Sequence, residues 1–132
     1  MRWDSSLSAG FTEGSPWLPL GEDCATRNVA NLSRQRDSIL TLYRKLIRLR
    51  RSNEALISGR LKGVVANGNI LRYDRTDDVQ HFAIFLNLGH EQEEISLEHG
   101  RIVVSTYLDR RDDLFERNVL LRPSEGLIVN LT

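Results

Sequence analysis

Between Asp37 and Arg51 the chain reads DSILTLYRKLIRLRR, and Ile39, Leu42, Tyr43, Leu46, Ile47 and Leu49 recur at three- and four-residue steps. That period predicts an amphipathic helix with one broad apolar face. Asp37 is the expected N-cap, Arg48, Arg50 and Arg51 fall in the last turn where the helix dipole favours cations, and Ser52-Asn53 supplies the stop. From Leu56 the pattern changes to short β-prone runs: RLKGVV, ILRYDR, HFAIFLNL, EEISLE, RIVVSTYL, NVLLRP and GLIVNL. Turn chemistry separates them at Asn67-Gly68, Gly89-His90, Glu98-His99-Gly100, Arg110 to Arg117 and Pro123 to Gly126. No helical period intervenes, so an antiparallel sandwich or barrel is the expected architecture. HFAIFLNL alternates poorly, as a central strand covered on both faces would.

The first segment, Met1 to about Arg36, has no such period. Trp3, Phe11 and Trp17 stand among Ser, Gly and Pro, so this stretch reads as irregular. A loop of that length with large aromatics is expected to pack against something else.

Composition narrows the partners. The 132 residues suit one domain, or a small domain with an extension. Eighteen basic and 18 acidic side chains balance, which gives no field for nucleic acid or an anionic membrane. The basic end of the helix is read as its solvated face, since no aromatics interleave for base stacking. Cys24 is the only cysteine, so there is no intrachain disulfide framework and no thiolate metal site, which suits a reducing, cytoplasmic setting. No run approaches the roughly 20 apolar residues of a spanning helix, and the chain reads as soluble.

Candidate chemistry is sparse. His81, His90 and His99 lie nine residues apart without a metal-ligand spacing. The carboxylate pairs Asp77-Asp78, Glu93-Glu94 and Asp112-Asp113 sit in predicted turns or on strand surfaces, where two groups cannot face a shared cleft with one pKa raised. No nucleophile elbow, phosphate loop or dinucleotide fingerprint is present.

In order, MRWD, AGFT, PWLPL, NVA and DSILTLYRKLIRLRR resemble the closing part of α-glucosidases of the α-amylase superfamily, glycoside hydrolase family thirteen. LRPSEGLIVNL is similar to the L-x-P-x-E sequence near the end of that family's C-terminal sandwich. Leu32 stands where a glutamine is common, and Gln35-Arg36 replaces a frequent Asp-Pro. The resemblance implies a mainly β fold: an antiparallel β-sandwich of the α-amylase C-terminal-domain type, preceded by an irregular loop and one amphipathic helix from the end of a (β/α)8 barrel. Residues 1–55 would be barrel-closing loop and last barrel helix, and residues 56–132 the sandwich. It also implies retaining hydrolysis of α-glucosidic bonds by the intact enzyme, with no organic cofactor and no metal in this chain. The catalytic carboxylates would lie upstream, so no residue here takes a catalytic role. Arg2, Trp3, Asp4, Phe11 and Trp17 are the substrate-side loop candidates. The implied partner is the barrel; in isolation, exposed helix and loop residues would drive homo-oligomerisation. A transglycosylating relative, and a self-contained carbohydrate-binding or interaction module, are the alternatives.

Overall fold

A computed structural model describes all of residues 1–132, which form two compact units, Met1–Arg44 and Lys45–Thr132. In the first, helix α1 covers Val29–Arg34, and helix α2, Ile39–Arg51, begins there and continues into the second. The first segment is therefore less irregular than its composition suggests. It also holds a tight turn at Leu7–Gly10 whose last three residues all have positive φ, near 62° at Ser8, 53° at Ala9 and 64° at Gly10.

Asn28 starts α1 with its side chain: Oδ1 accepts from the Asn31 amide at 2.9 Å, and Nδ2 donates to the carbonyls of Cys24 and Ala25. Ser38, not Asp37, caps α2. Its hydroxyl accepts from the Thr41 amide at 3.2 Å and donates to the Leu32 carbonyl at 2.7 Å, so one side chain serves the end of α1 and the start of α2. The expectation for Asp37 fails because the helix starts one residue later than that cap requires, at Ile39. At the other end the Ser52 hydroxyl and the Asn53 amide donate to the carbonyls of Arg48 and Leu49, as the stop signal predicts.

In the second unit a one-turn helix, α3 (Glu54–Ile57), precedes six strands: β1 Arg60–Asn67, β2 Ile70–Thr76, β3 His81–Asn87, β4 Glu93–Ser105, β5 Asp113–Leu121 and β6 Gly126–Asn130. All pairings are antiparallel, in the order β1-β2-β3-β6-β4-β5. Asn67-Gly68 makes the first hairpin, with Gly68 at φ 55°. β3 is central and mostly buried, as its poor alternation predicts.

The sandwich is one hydrogen-bonded sheet folded over itself. β2 and β5 are four strand spacings apart, about 19 Å in a flat sheet. Yet Ile70 of β2 packs on the same core cluster as Val119 and Leu121 of β5, together with Phe85, Ile102, Leu127 and Val129. The sheet must curl for those residues to meet. Its other face buries Phe82 and Ile84 against Ala55 of α3, with Leu56, Tyr73 and Ile128 at the margin.

Two predicted boundaries are wrong, for one reason. Glu98-His99-Gly100 is not a turn: β4 runs through it with a register shift between Leu97 and His99. Arg110 to Arg117 is not all loop, because β5 starts at Asp113. Gly100 serves packing. A Cβ there would lie 2.6 Å from Val129 Cγ1 and 3.0 Å from Phe115 Cζ, so the glycine lets a bent β4 close over the core.

The turn between β5 and β6 is fixed by a buried charge. Glu125 is 1% exposed. Its Oε1 accepts from Ser105 Oγ and Arg122 Nη2, each at 2.6 Å, and its Oε2 accepts from the Arg122 amide at 2.8 Å and from Arg122 Nε at 3.1 Å. The same guanidinium donates to Asp109 and lies 4.1 Å from the centre of the Tyr107 ring, whose hydroxyl donates to the Pro123 carbonyl. Burial pushes the Glu125 carboxyl up, but the bonds from Arg122 and Ser105 outweigh it and hold the group below its ordinary range. The Arg122 hydrogen bonds bring Asp109 from 3.8 to about 2.

Two stability outcomes follow from this packing. Gly100→Ala should cost about 1–3 kcal/mol in denaturant unfolding, because its methyl group meets packed side chains. The depressed carboxyls stabilise the fold above their unfolded pKa values, and that stability should fall as pH drops from about 4 toward about 2. Arg122→Met, which strands a buried carboxylate, should lose about 3–5 kcal/mol at neutral pH and flatten this acid limb when unfolding is followed by circular dichroism.

Candidate functional site

The first unit gathers the five loop candidates, and most of its polar groups are already engaged. The Arg2 guanidinium pairs with the Asp23 carboxylate. Asp4 Oδ1 accepts from both the amide and the hydroxyl of Ser6, closing a local turn. These contacts, the Ser6 and Arg2 side chains respectively, hold the Asp4 and Asp23 carboxyls below the usual range. The Arg2 and Trp3 carbonyls accept from the amides of Val29 and Ala30, so the opening residues lie across the first turn of α1 and satisfy its free N–H groups. Trp3 N and Asp4 N both donate to the Ala9 carbonyl, and Phe11 N donates to Ser8 O. These bonds hold Ser8 and Ala9 in the left-handed region, a conformation that costs a non-glycine residue of order 1–2 kcal/mol.

The result is a braced loop with an apolar exterior. Trp17 is 84% exposed, Phe11 54% and Trp3 47%. Leu7 and Leu18 are exposed beside them in sequence. The hydrogen bonding joins Trp3, Asp4 and Phe11 through the turn at Ser8 and Ala9, whereas the exposed Trp17 makes no hydrogen bond to them. Sequence reasoning missed Asn28, which starts α1, Asp23, which pairs with Arg2, and Ser38, which starts α2. An Asn just before the apolar VA of α1 was the available signal for the first; no local pattern marks the pairing of Arg2 with a residue 21 positions away.

The second unit offers no acid/base pair. Its two buried carboxylates are Glu125 and Asp74. Asp74 accepts from Arg72 Nε at 3.1 Å and Nη2 at 3.2 Å, and its Oδ2 lies 2.8 Å from His81 Nε2. Burial raises the Asp74 carboxyl, and the bonds from Arg72 and His81 override it, so the group stays ionised. A general acid needs the opposite shift. Asp77 accepts from the amides of Val79 and Gln80, and the exposed Asp78 pairs with Arg60. No three His, Cys, Asp or Glu side chains converge as a metal set. A groove of about 210 Å³ over β4, β5 and the end of β6, lined by His99, Arg101, Phe115, Glu116, Asn130 and Leu131, is smaller than the roughly 300–1,000 Å³ of ordinary ligand pockets.

Residues 1–59 match the family described as "Alpha amylase, catalytic domain". Along 99% of its length the chain is 32% identical to an oligo-1,6-glucosidase of Bacillus cereus, and along 85% it is 33% identical to a salivary alpha-glucosidase of Aedes aegypti. Its homologues are alpha-glucosidases of the alpha-amylase family. The fold agrees: 98% of the chain superposes on an isomaltulose synthase from a Klebsiella species (TM-score 0.86, 22% identity) and on a trehalulose synthase from Pseudomonas mesoacidophila (TM-score 0.86, 24% identity). The chain spans about a quarter of the length of these relatives, 24% for the Bacillus cereus enzyme and for both structures and 18% for the mosquito enzyme. No helix is long and apolar enough to cross a membrane.

If Asn28 braces the alpha-amylase-like loop, Asn28→Ala should weaken the first unit by about 1–2 kcal/mol. Amide hydrogen exchange should accelerate at Val29, Ala30 and Asn31, while the amides of β3 and β6 keep their protection.

Proposed function

We propose that this chain is the closing, C-terminal part of a retaining α-glucosidase, supplying the loop and helix that complete a (β/α)8 barrel and the β-domain that follows. The carrying observation is that the catalytic-domain match stops at residue 59, while the six-stranded sheet lies beyond it. The carboxylate chemistry supports the same reading, since the buried Asp74 and Glu125 are held ionised by arginines and cannot serve as the proton donor. Hydrolysis of α-glucosidic bonds would use carboxylates outside these residues. Trp3, Phe11 and Trp17 would wall the sugar site, where an aromatic face packs on the C–H face of a pyranose ring. Cys24 as a free thiol suits a cytoplasmic enzyme.

On this reading the purified chain neither hydrolyses a chromogenic α-glucoside nor forms a covalent adduct with a mechanism-based glucosidase inhibitor. Turnover that vanishes when a carboxylate of this chain is replaced would overturn it. Maltose, lacking the other walls of the pocket, should bind no tighter than millimolar, about 4 kcal/mol, by calorimetry. Micromolar affinity would favour a self-contained carbohydrate-binding module instead.

A further inference from the structure

The turn between β1 and β2 brings a labile side chain and a free amide together at the surface. Asn67 ends β1 opposite Ile70, so Gly68 and Asn69 alone make the turn. Gly68 takes a φ of 55°, a left-handed conformation that a residue without Cβ adopts without strain. Nothing beyond its chain neighbours comes within 4 Å of where a Cβ would stand, and its amide makes no turn or loop hydrogen bond. Asn67 is exposed, and no partner holds its side-chain amide. The other asparagines differ. The side chains of Asn28, Asn31, Asn53, Asn87, Asn118 and Asn130 are hydrogen-bonded, and that of Asn69 lies against Gly89. All seven precede Val, Leu, Ile or Glu, and Asn67 precedes Gly.

We propose that Asn67 is a site of spontaneous covalent modification, deamidating to aspartate and isoaspartate with Gly68 as its reaction partner. The Gly68 amide nitrogen gives its proton to hydroxide and attacks Asn67 Cγ. A bond forms between that nitrogen and Cγ, the bond from Cγ to Nδ2 breaks, and Nδ2 leaves as ammonia. The product is a five-membered succinimide. Water then adds to one of its two carbonyls and opens the ring, giving aspartate when the new bond at Cγ is cleaved and isoaspartate when the original peptide bond is cleaved. Nothing is oxidised or reduced, and water is the only co-reactant. Gly68 permits the attack because no Cβ stands beside the nucleophile and because its backbone can turn freely. Ring closure also requires Asn67 to leave its extended conformation, so it runs through opening of the hairpin end. That opening is local: β1 is an edge strand paired only with β2, and all eight of its residues are exposed. Isoaspartate adds a carbon to the main chain where the turn sets the β1–β2 register, and either product puts a carboxylate in place of a neutral amide.

The test ages the full chain at mildly alkaline pH, maps its peptides by mass spectrometry, and reports isoaspartate with an isoaspartyl carboxyl methyltransferase and a labelled methyl donor. Residue 67 should be the first to show the mass gain of OH replacing NH2, with ammonia released in equal amount and methyl acceptance rising alongside. Isoelectric focusing should show an acidic shift, because the acidic and basic side chains of the unmodified chain balance. The rate should rise from neutral to mildly alkaline pH, since the attacking nitrogen must shed its proton. Asn67→Gln should keep the circular dichroism spectrum and lose the methyl acceptance, because the longer side chain would have to close a six-membered ring. Conversion first at another asparagine overturns the inference, as does methyl acceptance that survives Asn67→Gln. So does a folded chain that stays unmodified while the urea-unfolded chain converts at residue 67, since the turn would then protect the pair. None of these readouts depends on glucosidase activity or sugar binding, so failure here and failure of the hydrolase reading are separable.

Discussion

A carboxylate that loses its water must be given a counter-charge and a full set of donors, and Glu125 meets that requirement inside the sheet. Its four hydrogen bonds come from Ser105 at the end of β4 and from the side chain and amide of Arg122 just after β5. Three strand ends, β4, β5 and β6, are thereby tied to one point. The curl of the sheet depends on this, because β4 pairs with β5 along its first part and with β6 along its last, and the two pairings must diverge without opening the core. Tyr107 under the guanidinium and Asp109 beside it fill the remaining donor and ring faces of Arg122, so nothing in the cluster is left unsatisfied.

The same logic separates scaffold from chemistry. Arginine beside a buried carboxylate depresses its pKa and makes it a poor proton donor at neutral pH, and both buried carboxylates of the β-domain are treated this way. The polar interior of the sheet is therefore structural. The large apolar side chains that the chain leaves exposed include those of the aromatic loop in the first unit and Ile39, Tyr43 and Ile47 of α2. The loop's backbone bonds hold Ser8 and Ala9 in a conformation they would otherwise leave, so the exposed Trp3 and Phe11 sit on a braced frame.

Much of this was legible along the chain. The period of α2, its stop at Ser52-Asn53, the Asn67-Gly68 hairpin and the double-sided burial of β3 are local facts: spacing, turn residues and alternation determine them within a window of ten or so residues. The order of MRWD, AGFT, PWLPL and NVA carried the family resemblance. Tertiary structure decided the rest, because the remaining choices depend on atoms far away in sequence. Gly100 reads as a turn residue until Val129 and Phe115 are placed against it, and then it is the gap that lets one bent strand replace two. Arg2 reads as a substrate-side loop candidate in the sequence and is half of an ion pair with Asp23 in the fold. Six hydrophobic positions on α2 look equivalent by periodicity, yet only packing assigns Leu42 to the interior and leaves Ile39, Tyr43 and Ile47 outside. Periodicity fixes which residues share a face; only the neighbours that arrive determine which part of that face loses its water.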